Sequence, residues 1–253
     1  MRVIGCQLDI VWENKAANHR RVRELLDGAA PERGSLVILP EMFATGFSMN
    51  VRGVTDAASR ETQDFLARAA ADYGVYLLGG VVTSAGDERG LNQAVVYTPE
   101  GREQARYTKM RPFTLGGEPR HYAAGGETCF FSWGGFRVAP FICYDLRFPE
   151  LFREAARGGA QLIVVIASWP SPRIHHWVRL LEARAIENQA YVVGVNRCGR
   201  DPEHVYTGDS LIVSPRGDVL AHAGSEECVI EADLDLAALL EYRRDFPVLE
   251  DLR

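Results

Sequence analysis

Three residues of complementary chemistry stand where apolar runs open into loops. Glu41 follows Leu36-Val37-Ile38-Leu39-Pro40, Lys109 follows Tyr107-Thr108, and Cys143 follows Phe141-Ile142. A carboxylate, an ammonium and a thiol are the parts of a hydrolase that works through a covalent thioester. The lysine stands out because only Lys15 and Lys109 among the 28 basic residues are lysines; the other 26 are arginines. Where positive charge is so regularly written as Arg, a surviving Lys marks a place where a compact point charge serves and a planar fork does not. Lys15 reads as a stray surface lysine, so Lys109 carries this argument only together with Glu41 and Cys143.

Amides are poor electrophiles and ammonia is a poor leaving group, so hydrolysis at neutral pH needs a nucleophile, a proton shuttle and a positive group at the developing oxyanion. Cys143 supplies the attacking sulfur. Glu41 accepts the thiol proton, returns it to the departing nitrogen and then activates water against the acyl-enzyme. Lys109 faces the oxyanion and favours the thiolate. The backbone N–H of Tyr144, directly after the nucleophile, is the second oxyanion donor. Taken singly, Cys143 reads equally as an apolar filler, the role expected of Cys6 and Cys198, and Glu41 as a turn cap. Three such residues at three strand ends favour the catalytic reading.

The remaining sequence constrains this chemistry. At 253 residues the chain can bury a sizeable core without covalent staples, and a net charge of −6 argues against nucleic acid or an anionic membrane as partner. No apolar run approaches the ~20 residues of a membrane span, and the first residues read as a strand, not a leader. The five cysteines, odd in number and without a Cys-x-x-Cys pair, support neither a disulfide framework nor a zinc site. A reducing cytosol is the expected setting.

Strands are expected at 2–9, 36–39 and 75–82, with helices at 15–30 and 61–73, the second closed by Gly74. Thr98-Pro99-Glu100-Gly101 and Gly134-Gly135 each turn a hairpin, 92–97 with 103–107 and 129–133 with 136–142. A strand–helix–strand unit follows: Cys143 ends one strand, Pro149 opens a helix to 156, and the β-branched run 162–167 reads as a strand covered on both faces. A helix at 171–188, a strand at 191–196, a hairpin around Pro215-Arg216-Gly217, a strand at 228–231 and a helix at 236–242 complete the chain. The alternation makes this an α/β protein with two mixed sheets and helices outside.

Leu36-Val37-Ile38-Leu39-Pro40-Glu41-Met42-Phe43, Tyr107-Thr108-Lys109 and Phe141-Ile142-Cys143-Tyr144-Asp145-Leu146-Arg147-Phe148-Pro149-Glu150 resemble the three signature segments of the nitrilase, or carbon–nitrogen hydrolase, superfamily. The resemblance runs from Met1 to about Pro247. It implies a four-layer α-β-β-α sandwich forming a single domain over residues 1–253, no metal or organic cofactor, a homodimer, and Glu41, Lys109 and Cys143 as a triad. Gly117-Glu118-Pro119-Arg120-His121-Tyr122 matches a segment that often carries a second glutamate, which gives Glu118 a supporting role toward Lys109 or the substrate amide.

Within the superfamily, Trp169-Pro170-Ser171-Pro172-Arg173 and His175-His176-Trp177 look most like the branch containing omega-amidases, which hydrolyse the terminal amide of 2-oxo acids such as 2-oxoglutaramate. A dicarboxylate product calls for a cationic anchor, and a guanidinium suits carboxylates. Arg173 is the favoured anchor over Arg147 and Arg111, Arg147 being assigned to an ion pair with Asp145 or Glu150. Trp169 is a candidate wall of the acyl pocket. Two other readings stay open: hydrolysis of N-carbamoyl amino acids or aliphatic amides, and a silent binding protein on the same scaffold. His175 and His176 invite a Cys–His hydrolase, but they stand at a helix start with no third orienting group. Gly116-Gly117 and Gly125-Gly126 are too isolated to cradle a phosphate.

Overall fold

The structure is a computed structural model that describes residues 1–56 and 59–252. Its first half lays down strands β1 (Arg2–Gln7), β2 (Leu36–Ile38), β3 (Tyr76–Ser84), β4 (Gly90–Tyr97) and β5 (Glu103–Thr108), with helices α1 (Lys15–Ala29), α2 (Val51–Val54) and α3 (Glu61–Tyr73) between them. The second half adds β6 (Phe131–Trp133), β7 (Phe136–Ile142), α4 (Pro149–Arg157), β8 (Leu162–Ala167), α5 (Ile174–Asn188) and β9 (Tyr191–Asn196). It closes with β10 (Cys198–Arg200), β11 (Val205–Thr207), β12 (Leu211–Val213), β13 (Val219–His222), β14 (Cys228–Asp233) and α6 (Leu236–Asp245).

Two six-stranded mixed sheets result, ordered β14-β1-β2-β3-β4-β5 and β13-β12-β9-β8-β7-β6. In each, three neighbouring strands run parallel, β1-β2-β3 and β7-β8-β9, and the outer pairings are antiparallel. The period-two alternation of strand side chains decides the layers. Val3, Leu36, Ile38, Leu78 and Val96 point into a core shared with Val138, Val164 and Val193 of the second sheet. Their neighbours Ile4, Val37, Leu77 and Val95 point the other way, onto Val22 and Leu26 of α1 and Phe65, Leu66 and Ala69 of α3. On the far side, Phe152 of α4 and Trp177, Leu181 and Ala185 of α5 cover the second sheet, so every residue of β8 is buried. The layers run α-β-β-α, as expected.

Local signals explain most boundaries. Asn14 caps α1 by accepting the Ala17 N–H at 3.0 Å, and Gly74 ends α3 in the left-handed region at φ +65°. The start of α3 has a less local cause: the buried Asp56 carboxylate accepts the Thr62 and Gln63 N–H groups and pairs with Lys15 at 3.1 Å. Lys15 is therefore not a stray surface residue, and both lysines of the chain pair with buried carboxylates. Some elements differ from expectation. The strand at 129–133 starts only at Phe131, the first turn of the 171–188 helix is a 3₁₀ turn over Ser171–Arg173, and the β10–β11 hairpin was not anticipated.

Candidate active site

The parallel strands of both sheets deliver their carboxyl ends to one place, where α/β sheets commonly hold their ligands. Glu41 lies beyond β2, Cys143 directly after β7, Ser168 directly after β8, and Lys109 directly after β5. Gly80 of β3 makes room for the glutamate: its N–H donates to the Pro40 carbonyl at 3.2 Å, and a Cβ there would collide with the Met42 nitrogen and the Glu41 Cα. Lys109 continues the β4–β5 ladder, its N–H donating to the Asn92 carbonyl at 2.9 Å, so Asn92 and Lys109 are cross-strand neighbours.

Glu41, Lys109 and Glu118 are 0%, 1% and 0% exposed, so their charges have only one another and nearby dipoles for solvation. Lys109 Nζ lies 2.9 Å from Glu41 Oε1 and 2.9 Å and 3.1 Å from the two oxygens of Glu118. Asn92 Nδ2 donates to Glu41 Oε1 at 2.7 Å and to Glu118 Oε1 at 3.0 Å, bridging the two carboxylates. Ser168 N–H donates to Glu41 Oε2 at 2.8 Å. Burial works against the Lys109 cation, but Glu118 and Glu41 outweigh it and hold the ammonium well above its ordinary value. Sequence reasoning placed Glu41, Lys109, Glu118 and Cys143 together, and the structure brings them together. It missed Asn92 and Ser168, whose parts depend on strand pairing and on a backbone N–H.

Cys143 opens a 3₁₀ turn, Cys143–Arg147, with φ +47°, a left-handed conformation that costs a non-glycine residue about 1–2 kcal/mol. That bend turns the thiol out of the strand and into a cavity. Tyr144, second in the turn, has a backbone N–H with no partner inside it, as an oxyanion donor requires. Burial and the negative charge of Glu41 push the thiol well above its ordinary value, and Lys109 and the Ser168 N–H pull it back only in part. Lys109 thus favours the thiolate, as expected, but burial and Glu41 outweigh it. With two carboxylates against one ammonium beside it, the surrounding charge favours the thiol form of Cys143. The rate of Cys143 modification by a small neutral reagent such as methyl methanethiosulfonate is expected to keep rising with pH through 9, because the reactive thiolate appears only above the raised value. Peptide mass spectrometry reads the site of modification, and a rate already flat by pH 7 would mean a preformed thiolate.

The cavity has a volume of about 430 Å³ and its walls include Cys143, Tyr144, Arg147, Ser168, Trp169 and Arg173, with Phe113 and Tyr206 also lining it. That suits a small substrate. Trp169 organises the cationic wall: the Arg147 guanidinium lies 4.6 Å from its ring, and its indole N–H donates to the Arg173 carbonyl at 2.8 Å. Arg173 itself lies 5.6 Å over the Phe113 ring. Arg147 does not form the expected ion pair. Asp145 is occupied by other donors, Glu150 lies 3.6 Å from Arg111 instead, and Arg147 contacts His176 Nδ1 at 3.3 Å. His175 and His176 are absent from the cavity wall, which removes the Cys–His reading. Among the described residues, neither Arg147 nor Arg173 has a carboxylate within 4.0 Å.

The carbon-nitrogen hydrolase family profile matches residues 2–244. The chain belongs to the carbon–nitrogen hydrolase family. This carbon–nitrogen hydrolase is 34% identical to a 2-oxoglutaramate amidase of Bacillus subtilis, covering 99% of this chain and 97% of that one. It is 37% identical to an omega-amidase of Escherichia coli over 99% of this chain and 96% of the relative. Among solved structures it resembles a carbon–nitrogen hydrolase superfamily protein of Xanthomonas campestris with an arsenic adduct in its active site. That match has a TM-score of 0.91 and 34% identity, covering 99% and 96% of the two chains. This carbon–nitrogen hydrolase acts as an amidase on non-peptide carbon–nitrogen bonds.

Proposed function

We propose that the protein is an omega-amidase that hydrolyses the terminal amide of a short 2-oxo acid amide, 2-oxoglutaramate or 2-oxosuccinamate, to ammonia and the 2-oxo diacid. The observation that carries this reading is one cavity with a thiol at one side, a buried Glu–Lys–Glu cluster beside it, and two arginines without acid partners on its walls. The names of the Bacillus subtilis and Escherichia coli relatives support it.

The Cys143 sulfur attacks the amide carbon while Glu41 removes the thiol proton. Lys109 Nζ and the Tyr144 N–H face the oxyanion. The tetrahedral adduct collapses as Glu41 returns the proton to nitrogen, and ammonia leaves. Glu41 then takes a proton from water, the resulting hydroxide attacks the thioester, and the carboxylic acid departs, giving its proton to solvent, as Glu41 returns the proton to sulfur. Glu118 holds Lys109 against Glu41 so that the ammonium stays at the oxyanion. Arg173 pairs with the substrate carboxylate and Trp169 walls the acyl chain.

The discrimination follows from desolvation. A half-buried guanidinium left unpaired by a neutral substrate loses a charge-assisted contact, and sites built to pair a polar group reject its absence strongly. Arg173→Ala is expected to raise KM for 2-oxoglutaramate by roughly tenfold or more, the equivalent of a charged hydrogen bond, and to narrow the gap between acidic and neutral amides. Ammonia release across a panel of amides measures both. An unchanged preference in Arg173→Ala moves the anchor to another residue, and a wild type that prefers neutral or N-carbamoyl amides rejects the omega-amidase reading.

We also place the protein in a reducing cytosol as a homodimer, following the family and the prevalence of two-fold assemblies. No helix among the described residues is long and apolar enough to cross a membrane. Light scattering at micromolar concentration should give twice the chain mass of 28.1 kDa; a monomer there would refute the dimer.

A further inference from the structure

Asp145 stands two residues after Cys143, and the reaction set out above makes no use of it. It is fully buried in the 3₁₀ turn that follows β7. Its Oδ1 accepts the Arg111 N–H at 2.8 Å, and its Oδ2 accepts the Tyr107 hydroxyl at 2.8 Å and the Ile142 N–H at 3.0 Å. The positions of these donors matter more than their number. Tyr107 and Arg111 lie two residues to either side of Lys109, and Ile142 lies immediately before Cys143. One carboxylate thus grips the lysine segment from both sides and the nucleophile's strand at its last residue.

A buried carboxylate is a costly way to join segments that apolar packing already brings near one another. Burial pushes Asp145 up to about 6, with Lys109 and the three donors pulling it back. What the carboxylate adds to packing is direction: each hydrogen bond sets an angle and a distance to a tenth of an ångström or so, which apolar contact does not. The segment it holds is under tension, because Cys143 keeps its left-handed backbone only while its surroundings enforce it.

We propose that Asp145 is a positioning residue that couples the turn carrying Cys143 to the segment carrying Lys109, fixing the attacking sulfur relative to the ammonium at the oxyanion. This inference rests on the reaction proposed above. It concerns geometry in the transition state, so its signature is a fall in kcat with KM and the intrinsic thiol reactivity retained.

The test uses the full chain carrying Asp145→Asn or Tyr107→Phe. Asparagine has the shape of aspartate but only one oxygen. Whichever way its amide is turned, its NH₂ faces a backbone N–H, that of Arg111 or that of Ile142, and one of the two segments is released. Tyr107→Phe keeps the ring against Phe141 and removes one donor, leaving both backbone bonds. Asp145→Asn is expected to lower kcat by roughly 10²-fold, the effect of a displacement near 1 Å. KM and the rate of Cys143 modification by methyl methanethiosulfonate should stay within about threefold, twofold-scale changes being ordinary for a distant contact. Tyr107→Phe is expected to lower kcat by about 3- to 10-fold with KM unchanged, the loss of one hydrogen bond.

A folded Asp145→Asn enzyme with kcat within threefold of wild type overturns the inference. So does a parallel fall of kcat, thiol reactivity and melting temperature with a rise in KM, which marks general loosening. If Asp145→Asn does not fold, Tyr107→Phe decides: an unchanged kcat overturns the inference. Failure of the underlying reaction shows elsewhere, as turnover that survives in Cys143→Ala. If wild type hydrolyses a different amide, the same comparison is made on that amide.

Discussion

Cys143→Ala is expected to turn over amide at least roughly 10⁴-fold more slowly than wild type, the loss seen when a covalent nucleophile is removed from an otherwise intact site. Cys143→Ser should be nearly as slow. An alcohol is far less acidic than a thiol, so its proton is much harder for a carboxylate to remove. Both variants should keep their fold, because the side chain is small and its left-handed backbone is imposed by the turn and not by sulfur. Steady-state ammonia release is the measurement. A tenth of wild-type turnover in either variant would put the nucleophile elsewhere.

Lys109→Arg is expected to lower kcat by roughly 10²- to 10³-fold, the range for losing one oxyanion donor, although it preserves the charge. Three carboxylate oxygens, one from Glu41 and two from Glu118, converge on a single Nζ within 3.1 Å in a site that is 1% exposed. A planar guanidinium cannot satisfy all three from one point, and it would drive the carboxylates apart. Lys109→Met should do worse in a different way. Removing one partner from a buried ion pair costs about 3–5 kcal/mol, and here two carboxylates would be left facing each other with Asn92 as their only shared donor. A lower melting temperature is therefore expected for Lys109→Met, with the loss of activity in Lys109→Arg exceeding its loss of stability. A folded Lys109→Arg enzyme within tenfold of wild type would mean that any cation suffices there.

The parts of this site that were legible in the sequence share a property: each is a chemically distinctive side chain at the end of an apolar strand. Lys109 was visible because lysine is rare in this chain, and Cys143 and Glu41 because a thiol and an acid each end an apolar strand. The hairpins at Pro99-Glu100-Gly101 and Gly134-Gly135 were legible for the same local reason. Asn92 was not, because its part arises from the register that sets it across from Lys109. Ser168 was not, because the working group is a backbone N–H that any residue carries. Lys15 was misread because its partner Asp56 lies 41 residues away in the chain and meets it only once α1 and α3 have packed. The β10–β11 hairpin escaped for want of length: each strand has three residues, too few for an alternating pattern. Arg147 was assigned to a carboxylate that Tyr107 and two backbone donors already occupy, a competition visible only in three dimensions.

The central claim is that amide hydrolysis passes through a thioester on Cys143. Rapid chemical quench of wild-type enzyme mixed with 2-oxoglutaramate, followed by digestion and mass spectrometry, tests it directly. The account predicts a transient adduct with the mass of the substrate less ammonia, on the peptide containing Cys143 and on no other cysteine peptide, which forms and decays at rates compatible with turnover. Steady ammonia release with no adduct on Cys143 in Cys143-containing peptides, or with the adduct on another residue, would contradict it.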